Sequence, residues 1–282
     1  MDGEFHCRMG HTLYDALLAA FVTGGVVTFA DLGLARRIEG AHAAQSLGCA
    51  PSDAAALEVG GGGAVFAGVD SPLTQAAGLG LNGPVSDAEL DEVEGFFRSR
   101  GARTVIEVCP LADPRFIEML SERGYRVSQF DNVLARSLTG VEIVITPRVR
   151  RATPDESDLW AHTVGRGFFE RTELTAEEMD VGRWVFGMAG AMCYLASADG
   201  GTQAGGAALA IREGLAMLFA DGVARPYRRQ RLHQELIAAR LNEALAQGCD
   251  FAAAATAPAS ASQRNFERLG FQVVYTRVTL SR

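Results

Sequence analysis

Apolar and polar positions along the C-terminal half of the chain switch between two periods. Leu215 to Ala220 is a short continuous apolar run, whereas Leu232, Leu236, Ile237, Leu241 and Leu245 recur at helical spacing. This predicts strands at 191–197, 203–212 and 214–220, an arginine-rich turn, and then a helix. A small-residue strand (Phe251 to Ala255), a short helix closed by Gly270 and a last strand (Gln272–Thr279) follow. Upstream, Thr153 with Pro154 predicts a capped helix through Trp160 and His162 towards Phe169. Thr175 with Glu178 three residues on has capping-box spacing and predicts a second helix, carrying Trp184 and Phe186.

The first half repeats this layout. Residues 88–100 read as an amphipathic helix ending at Gly101, then a strand from Thr104 to Cys109, a Pro110 loop, a helix from Arg115 to Glu122, and Gly124 before a closing strand. The bracketing glycines are 23 residues apart in the first half (101 to 124) and 22 in the second (248 to 270). Two copies of one fold account for the length, with an N-terminal extension at 1–29 and domains at 30–138 and 139–282. Thr139-Gly140 would be the linker and Val141–Val149 the first strand of the second copy. The alternative is that helix-strand-helix units recur in any α/β protein. Ser86 is a good N-cap for the 88–100 helix, and Asp87 and Glu89 in its opening turn suit the helix dipole but repel phosphate. Gly60 to Gly63 lacks the following helix of a dinucleotide fingerprint and reads as a hairpin turn.

The chain has 282 residues, is 48% hydrophobic and carries a net charge of −8. That balance offers no long-range attraction for nucleic acid or an anionic membrane, so neither is expected as a partner. Five cysteines (Cys7, Cys49, Cys109, Cys193, Cys249) are scattered without Cys-x-x-Cys or Cys/His ligand spacing, which predicts reduced thiols, a cytoplasmic protein and no metal site. His6, Cys7 and His11 lie close together but read as part of a terminal tail. The apolar run 16–29 is short for a membrane span, which takes about 20 residues. From Leu32 to Glu39 the pattern continues as a soluble amphipathic helix.

Against this acidic background, Arg225, Arg228, Arg229, Arg231 and Arg240 form a local cationic cluster. A strand delivering cations to a helix N-terminus suits phosphate, because the first-turn N–H groups lack intrahelical partners and the dipole favours negative charge there. A small anionic ligand fits this arrangement better than a polyanion; a surface arginine cluster is the plainer alternative.

The order strand, Arg-rich turn, helix, strand, helix, Leu269-Gly270-Phe271, strand resembles the acyl-CoA-binding half of GNAT acyltransferases, and the resemblance covers about 142–282. It implies an α/β (α+β) fold of two GNAT-like domains, each a mixed, mostly antiparallel sheet flanked by helices. The family's turn, Arg/Gln-x-x-Gly-x-Gly/Ala, aligns with Arg228-Arg229-Gln230-Arg231-Leu232-His233. Both glycine positions are replaced, and the preceding turn is one residue short. If the first of them takes a positive φ, Arg231 adds about 1–3 kcal/mol of strain.

The resemblance further implies acetyl-CoA as co-substrate, held by Val223, Ala224, Arg228, Arg229, Gln230, Arg231, Leu232, His233 and Gln234, with Ser262 and Asn265 on the pantetheine arm or, alternatively, capping their helix. The backbone amide of Val223 or a neighbour would polarise the thioester. The implied reaction is acetyl transfer to a small-molecule amine in a ternary complex, by a monomer or homodimer. Asp221 is the candidate general base; Glu170, Glu173, His162 and Tyr194 lie in segments that could line an acceptor pocket. Where the family often has a leaving-group tyrosine, this chain has Phe266, which cannot donate. Arg231, His233 and Phe266 favour the alternative, a catalytically degenerate GNAT-fold binding or sensing protein.

Overall fold

The structure is a computed structural model that describes residues 30–52, 55–142 and 144–282. The His6/Cys7/His11 cluster and the 16–29 run lie outside the described residues.

In the first half, helix α1 (Leu32–Gly48) is followed by strands β1 (Ala56–Val59), β2 (Gly62–Val65) and β3 (Gln75–Ala77). Helix α2 (Asp87–Arg98), β4 (Val105–Val108), helix α3 (Pro114–Glu122) and β5 (Arg126–Ser137) complete it. The second half runs β6 (Val149–Arg151), α4 (Ser157–Phe168), α5 (Ala176–Gly187), β7 (Met192–Ser197), β8 (Gln203–Arg212) and β9 (Leu215–Val223). Then come α6 (Leu232–Ala246), β10 (Phe251–Thr256), α7 (Ala261–Arg268) and β11 (Gln272–Ser281).

Local signals act as expected. Asp31 caps α1 by accepting from the Leu34 amide at 2.7 Å. Ser86 with Glu89, and Thr175 with Glu178, form capping boxes. Gly60 and Gly61, at φ +58° and +74°, turn the β1–β2 hairpin. The repeat is visible in how four elements end. Gly101, Gly124, Gly248 and Gly270 all take φ between +71° and +82°. After each, the next amide donates back five residues: Ala102 to Phe97, Tyr125 to Leu120, Cys249 to Ala244 and Phe271 to Phe266. This Schellman closure needs a residue without a Cβ penalty at the turn.

Eleven strands form one sheet in the order β1-β2-β3-β4-β11-β5-β10-β9-β8-β7-β6. Only β3–β4 and β9–β10 are parallel. The order is nearly symmetric about the β11–β5 pair, with four strands beyond β11 and five beyond β5, and each of those two strands is inserted into the other half's sheet. β11 lies between β4 and β5, and β5 lies between β11 and β10. The sheet is therefore mixed and mostly antiparallel with flanking helices, and it is continuous across both halves, a connection that the repeat alone does not specify.

One expected element is different. Of the described residues in 141–149 only Val149 is in a strand, and β6 is a three-residue edge strand. Pro147 lacks a donor for a ladder. Val144 instead bonds the Asn242 side chain, donating at 3.0 Å and accepting at 2.6 Å.

Alternation along the central strands sorts the core by face. Leu215 and Met217 of β9, Ala253 of β10, Val133 of β5 and Tyr275 of β11 pack in the cluster that contains α1. Ala216, Leu218, Ala252, Ala254 and Leu134 pack in the cluster beneath α6 and α7. Trp160, at 0% exposure, anchors a third cluster under α4 and α5. The strand period of two thus gives the central sheet an α1 side and an α6 side.

Candidate active site

Strands β9 and β10 pair only from Phe251↔Leu215 to Ala254↔Leu218 and then part. A cleft of about 410 Å³ opens where they separate. Residues of β9 (Met217 to Asp221) and of 254–257 line it, with Ser260 and Ser262 at one end and Ile38, His42 and Gln45 of α1 at another. Gln129, Asp131 and Val133 of β5 and Arg277 of β11 close the wall. Because the lining comes from both faces, the opening is a passage between the α6 side and the α1 side of the sheet.

The β8–β9 register shifts between Gly206↔Gly222 and Ala208↔Phe219, with Ala220 at φ +53°. This is a bulge on β9, and it re-aims the residues that follow. Strict alternation would put Asp221 with Met217 and Phe219 on the α1 side; instead its carboxylate meets α6. Past the bulge, the Ala224 amide donates to Ala204 at 2.9 Å. Gly205↔Val223 is then a non-hydrogen-bonded pair, and the Val223 N–H faces away from β8, towards the diverging strand. Gly167 of α4 packs over this point: a Cβ on it would lie 2.4 Å from the Val223 nitrogen.

Beyond β9, a short 3-10 turn (Arg225–Tyr227) leads to the start of α6. Arg229 and Arg231 both take left-handed backbone, at φ +68° and +63°, and Arg231 is the N-cap residue. The positive φ that the aligned glycine position would need is thus adopted by an arginine. The turn is pinned from below. Arg148 donates to the Gln230 carbonyl at 2.7 Å and to the buried Glu235 carboxylate at 2.8 Å.

The predicted site residues separate into four groups. His233, Gln234 and Asn265 come together: His233 Nε2 lies 2.9 Å from Asp221, Asn265 Nδ2 lies 3.0 Å from His233 Nδ1, and Gln234 bonds Asn265 at 3.1 Å. Ser262 lines the cleft and Ser260, not Ser262, caps α7. Arg225, Arg229 and Arg231 are exposed around the α6 turn, with Ala224 and Leu232 buried at its two ends. Arg228 is engaged elsewhere: it pairs with Glu170 at 2.7 Å and donates to the carbonyls of Gly167 and Val223 at 3.2 Å.

Two expectations are corrected. Arg240 is not part of the cationic surface. It is 0% exposed and donates to Asp221 and to the carbonyls of Ala208 and Leu236. Asp221 reaches the cleft but is a poor proton acceptor: burial pushes its carboxyl up, yet Arg240 and His233 outweigh burial and hold it below the ordinary aspartate range. Of the other acceptor-pocket candidates, Glu170 and Glu173 are exposed, Tyr194 is buried, and neither they nor His162 line the cleft. Phe266 is 1% exposed and stacks edge-on against His233 and Phe271, so no side chain at that position points into the cleft lining.

The α1 side holds a charged cluster that the sequence reading missed. His42 Nε2 contacts the Glu107 carboxylate. Arg277 lies 3.6 Å from that carboxylate and donates to Glu39 at 2.9 and 3.1 Å, and the Tyr275 hydroxyl donates to Glu39 at 2.7 Å. Burial pushes the Glu107 carboxyl up, but His42 and Arg277 overcome it and hold it at about 2. Asp131, on the cleft wall, is raised, chiefly by burial, against a hydrogen bond from Gln129. Its components lie far apart in sequence, so only the β5/β11 exchange brings them together. An apolar helix with Glu39 and His42 three residues apart is the one sequence signal for it.

Among the described residues no cysteine lines the cleft. Cys49, Cys109, Cys193 and Cys249 are buried free thiols. Burial pushes Cys49 and Cys109 to about 11 and Cys193 to about 12. Among the described residues no His, Cys, Asp and Glu group is placed to hold a metal ion, and no helix is long and apolar enough to cross a membrane.

The sequence model of the acetyltransferase (GNAT) family matches residues 160–271. Among solved structures, the chain is similar to a GCN5-related N-acetyltransferase from Kribbella flavida, with a TM-score of 0.63 at 19% identity over 88% of this chain and 95% of that one. It is also similar to a tandem GNAT protein from the clavulanic acid biosynthesis pathway, with a TM-score of 0.52 at 19% identity over 69% of this chain and 68% of that one. At these identities the structural likeness concerns the fold. No curated protein matches.

Proposed function

We propose that the chain, whose residues 160–271 match the model of the acetyltransferase (GNAT) family, is an acyl-CoA-dependent N-acyltransferase that moves an acetyl group from acetyl-CoA to a small-molecule amine by direct attack in a ternary complex. The observation that carries this reading is the passage between β9 and β10, with the α6 N-terminus on one side and a polar pocket on the other. Residues 30–138 and 139–282 act as two GNAT-like domains in this reading; the second holds the cofactor and the first shapes the acceptor pocket.

The α6 side fits a pantetheine arm and its phosphates. The Oγ1 of Thr256 is buried at the parting of the strands with no hydrogen-bond partner among the described residues, and so is Gln230 Oε1 in the turn. Such orphaned acceptors and donors are satisfied by a ligand with amides. The free first-turn amides of α6, with Arg225 and Arg229 beside them, suit the pyrophosphate. When bound, acetyl-CoA supplies the activated acyl group. Val223 N–H donates to the thioester carbonyl oxygen and stabilises the charge that develops there. Asp221, neutralised by Arg240, holds His233 and through it Asn265, fixing the first turn of α6.

The test is calorimetric titration of acetyl-CoA into the purified chain, followed by thiol release with a panel of primary amines: polyamines, amino sugars and amino acid amides. One-site binding and amine-dependent thiol release support the reading. The second reading, a GNAT-fold binding or sensing protein, draws on the Arg228–Glu170 ion pair, which diverts a cation from the cradle. Binding without turnover on any amine would favour it, and absence of binding by the folded chain would sink the first.

A further inference from the structure

We infer that His42, on α1 in the first half of the chain, is the general base of the transfer, and that Glu107 holds and orients it as a carboxylate partner does in a catalytic triad. This rests on the acyltransferase reading and names a residue that the family model does not reach, since the matched segment begins at residue 160.

Three observations carry it. The first is place. His42 lines the cleft from the α1 side, opposite α6, so an amine entering there meets the imidazole on the far side of the parted strands from the phosphate turn. Asp221, the carboxylate nearest in sequence to the phosphate turn, is turned to the α6 side and held between the Arg240 guanidinium and the His233 ring.

The second is the state of the ring. Nε2 contacts Glu107, whose carboxyl is held ionised, so Nε2 carries the proton and donates it. Nδ1 then has its lone pair free, and no described residue bonds it. His42 keeps 16% of its side chain exposed, enough to be reached from the cleft.

The third is charge. The groups facing the ring are Glu107 from β4, Arg277 from β11, Asp131 from β5 and Glu39 from its own helix, with Asp221 across the cleft paired to Arg240 and His233. Glu39 and Glu107 share one guanidinium, that of Arg277. With Asp131 the cluster has three carboxylates to one guanidinium, and an imidazolium at His42 offsets part of that excess. Asp131, on the same wall, supplies an acceptor for an incoming ammonium.

The step balances as follows. An acceptor arrives as its ammonium ion and gives one proton to His42 Nδ1. The free amine attacks the thioester carbonyl carbon, the N–C bond forms and the C–S bond breaks, with the electron pair leaving on sulfur. The second amine proton passes to that sulfur to give the thiol, and His42 returns its proton to solvent.

The experiment uses the full chain, acetyl-CoA and whichever primary amine of the panel the wild-type protein acetylates. His42→Ala should lower kcat/KM by about 100-fold or more, the range for a lost general base, and leave acetyl-CoA binding by calorimetry unchanged. The acidic limb of the kcat/KM profile should disappear, and added imidazole should restore turnover. Glu107→Gln should lower kcat with little change in KM. His42→Gln, close in volume, and a circular-dichroism melt keep folding losses distinct. A folded His42→Ala chain with wild-type kcat/KM and an intact acidic limb overturns the proposal alone. A wild-type chain that binds acetyl-CoA but acetylates none of the amines overturns the acyltransferase reading, and this proposal with it.

Discussion

Replacing Arg240 by Met should be the most damaging single change near the phosphate turn. Arg240 is fully enclosed and donates to the carbonyls of Ala208 (2.9 Å), Leu236 (3.0 Å) and Phe219 (3.3 Å) as well as to the Asp221 carboxylate. Methionine fills most of the volume, so little of the loss is packing. What remains is a buried carboxylate facing His233 alone and three main-chain acceptors without this donor. Breaking one side of a buried pair costs about 3–5 kcal/mol, a large part of the roughly 5–15 kcal/mol that holds a domain folded. The pair itself adds little over an apolar substitute, so Asp221→Leu with Arg240→Met should recover most of the loss, giving a coupling energy of about 3 kcal/mol or more in the double-mutant cycle. The pH dependence has a definite sign. Asp221 is depressed in the folded chain, so its contribution is present above its unfolded value of about 3.9 and is lost as pH falls below it. Without Arg240, burial acts on the carboxyl with less opposition and the loss begins at higher pH. Urea unfolding at pH 7 and pH 5 measures both effects. An Arg240→Met chain within about 1 kcal/mol of wild type, or single losses that simply add, would refute the argument.

Gly167→Ala should lower stability by about 1–3 kcal/mol and reduce turnover, because its Cβ would sit 2.4 Å from the Val223 nitrogen and 2.6 Å from the Gly222 carbonyl carbon; a wild-type melt and turnover would refute the assigned role of the Val223 amide. Phe266→Tyr should not raise kcat and should cost about 1–3 kcal/mol if its hydroxyl is left without a partner, since Phe266 is enclosed between His233 and Phe271; faster thiol release would show that the hydroxyl reaches the leaving group after all. Glu170→Gln should tighten acetyl-CoA binding by a few-fold, more at low salt, by freeing Arg228 and removing an exposed charge near the turn; calorimetry at two salt concentrations reads it, and unchanged affinity would place Arg228 outside the phosphate site.

Legibility followed the range of each interaction. The capping boxes at Ser86 and Thr175, the Gly60–Gly61 hairpin and the four glycine closures rest on contacts within six residues, and the sequence pattern located all of them. The 141–149 segment failed because Val144 buries beside α6 and bonds Asn242 rather than a ladder partner, while Ile145 stays exposed, which composition does not distinguish. At the site, the α6 turn was legible because strand, turn and helix are contiguous. The role of Arg240 was not, since a lone arginine on a helix gives no sign that it will be enclosed. The direction of Asp221 depends on one bulge residue, Ala220, and a one-residue insertion flips a side chain to the other face.

The exchanged strands explain why the missed cluster exists at all. β11 belongs to the second half yet is flanked by β4 and β5 of the first, and it delivers Arg277 to Glu39 and Glu107, both first-half carboxylates. Those two carboxylates are almost fully enclosed, and the guanidinium offsets the cost of burying their charge. In return β5 lies against β10 and carries Gln129, Asp131 and Val133 to the wall of the passage that the parting of β9 and β10 opens. Each half thus completes the other's sheet and one side of the other's chemistry. Taken alone, either half would expose the edge of β4 or β10 that the exchange covers. The first half has no arginine turn of its own, and the acidic first turn of α2 would repel phosphate. Its contribution is the α1 side of the passage, and that is where an acceptor group must be met.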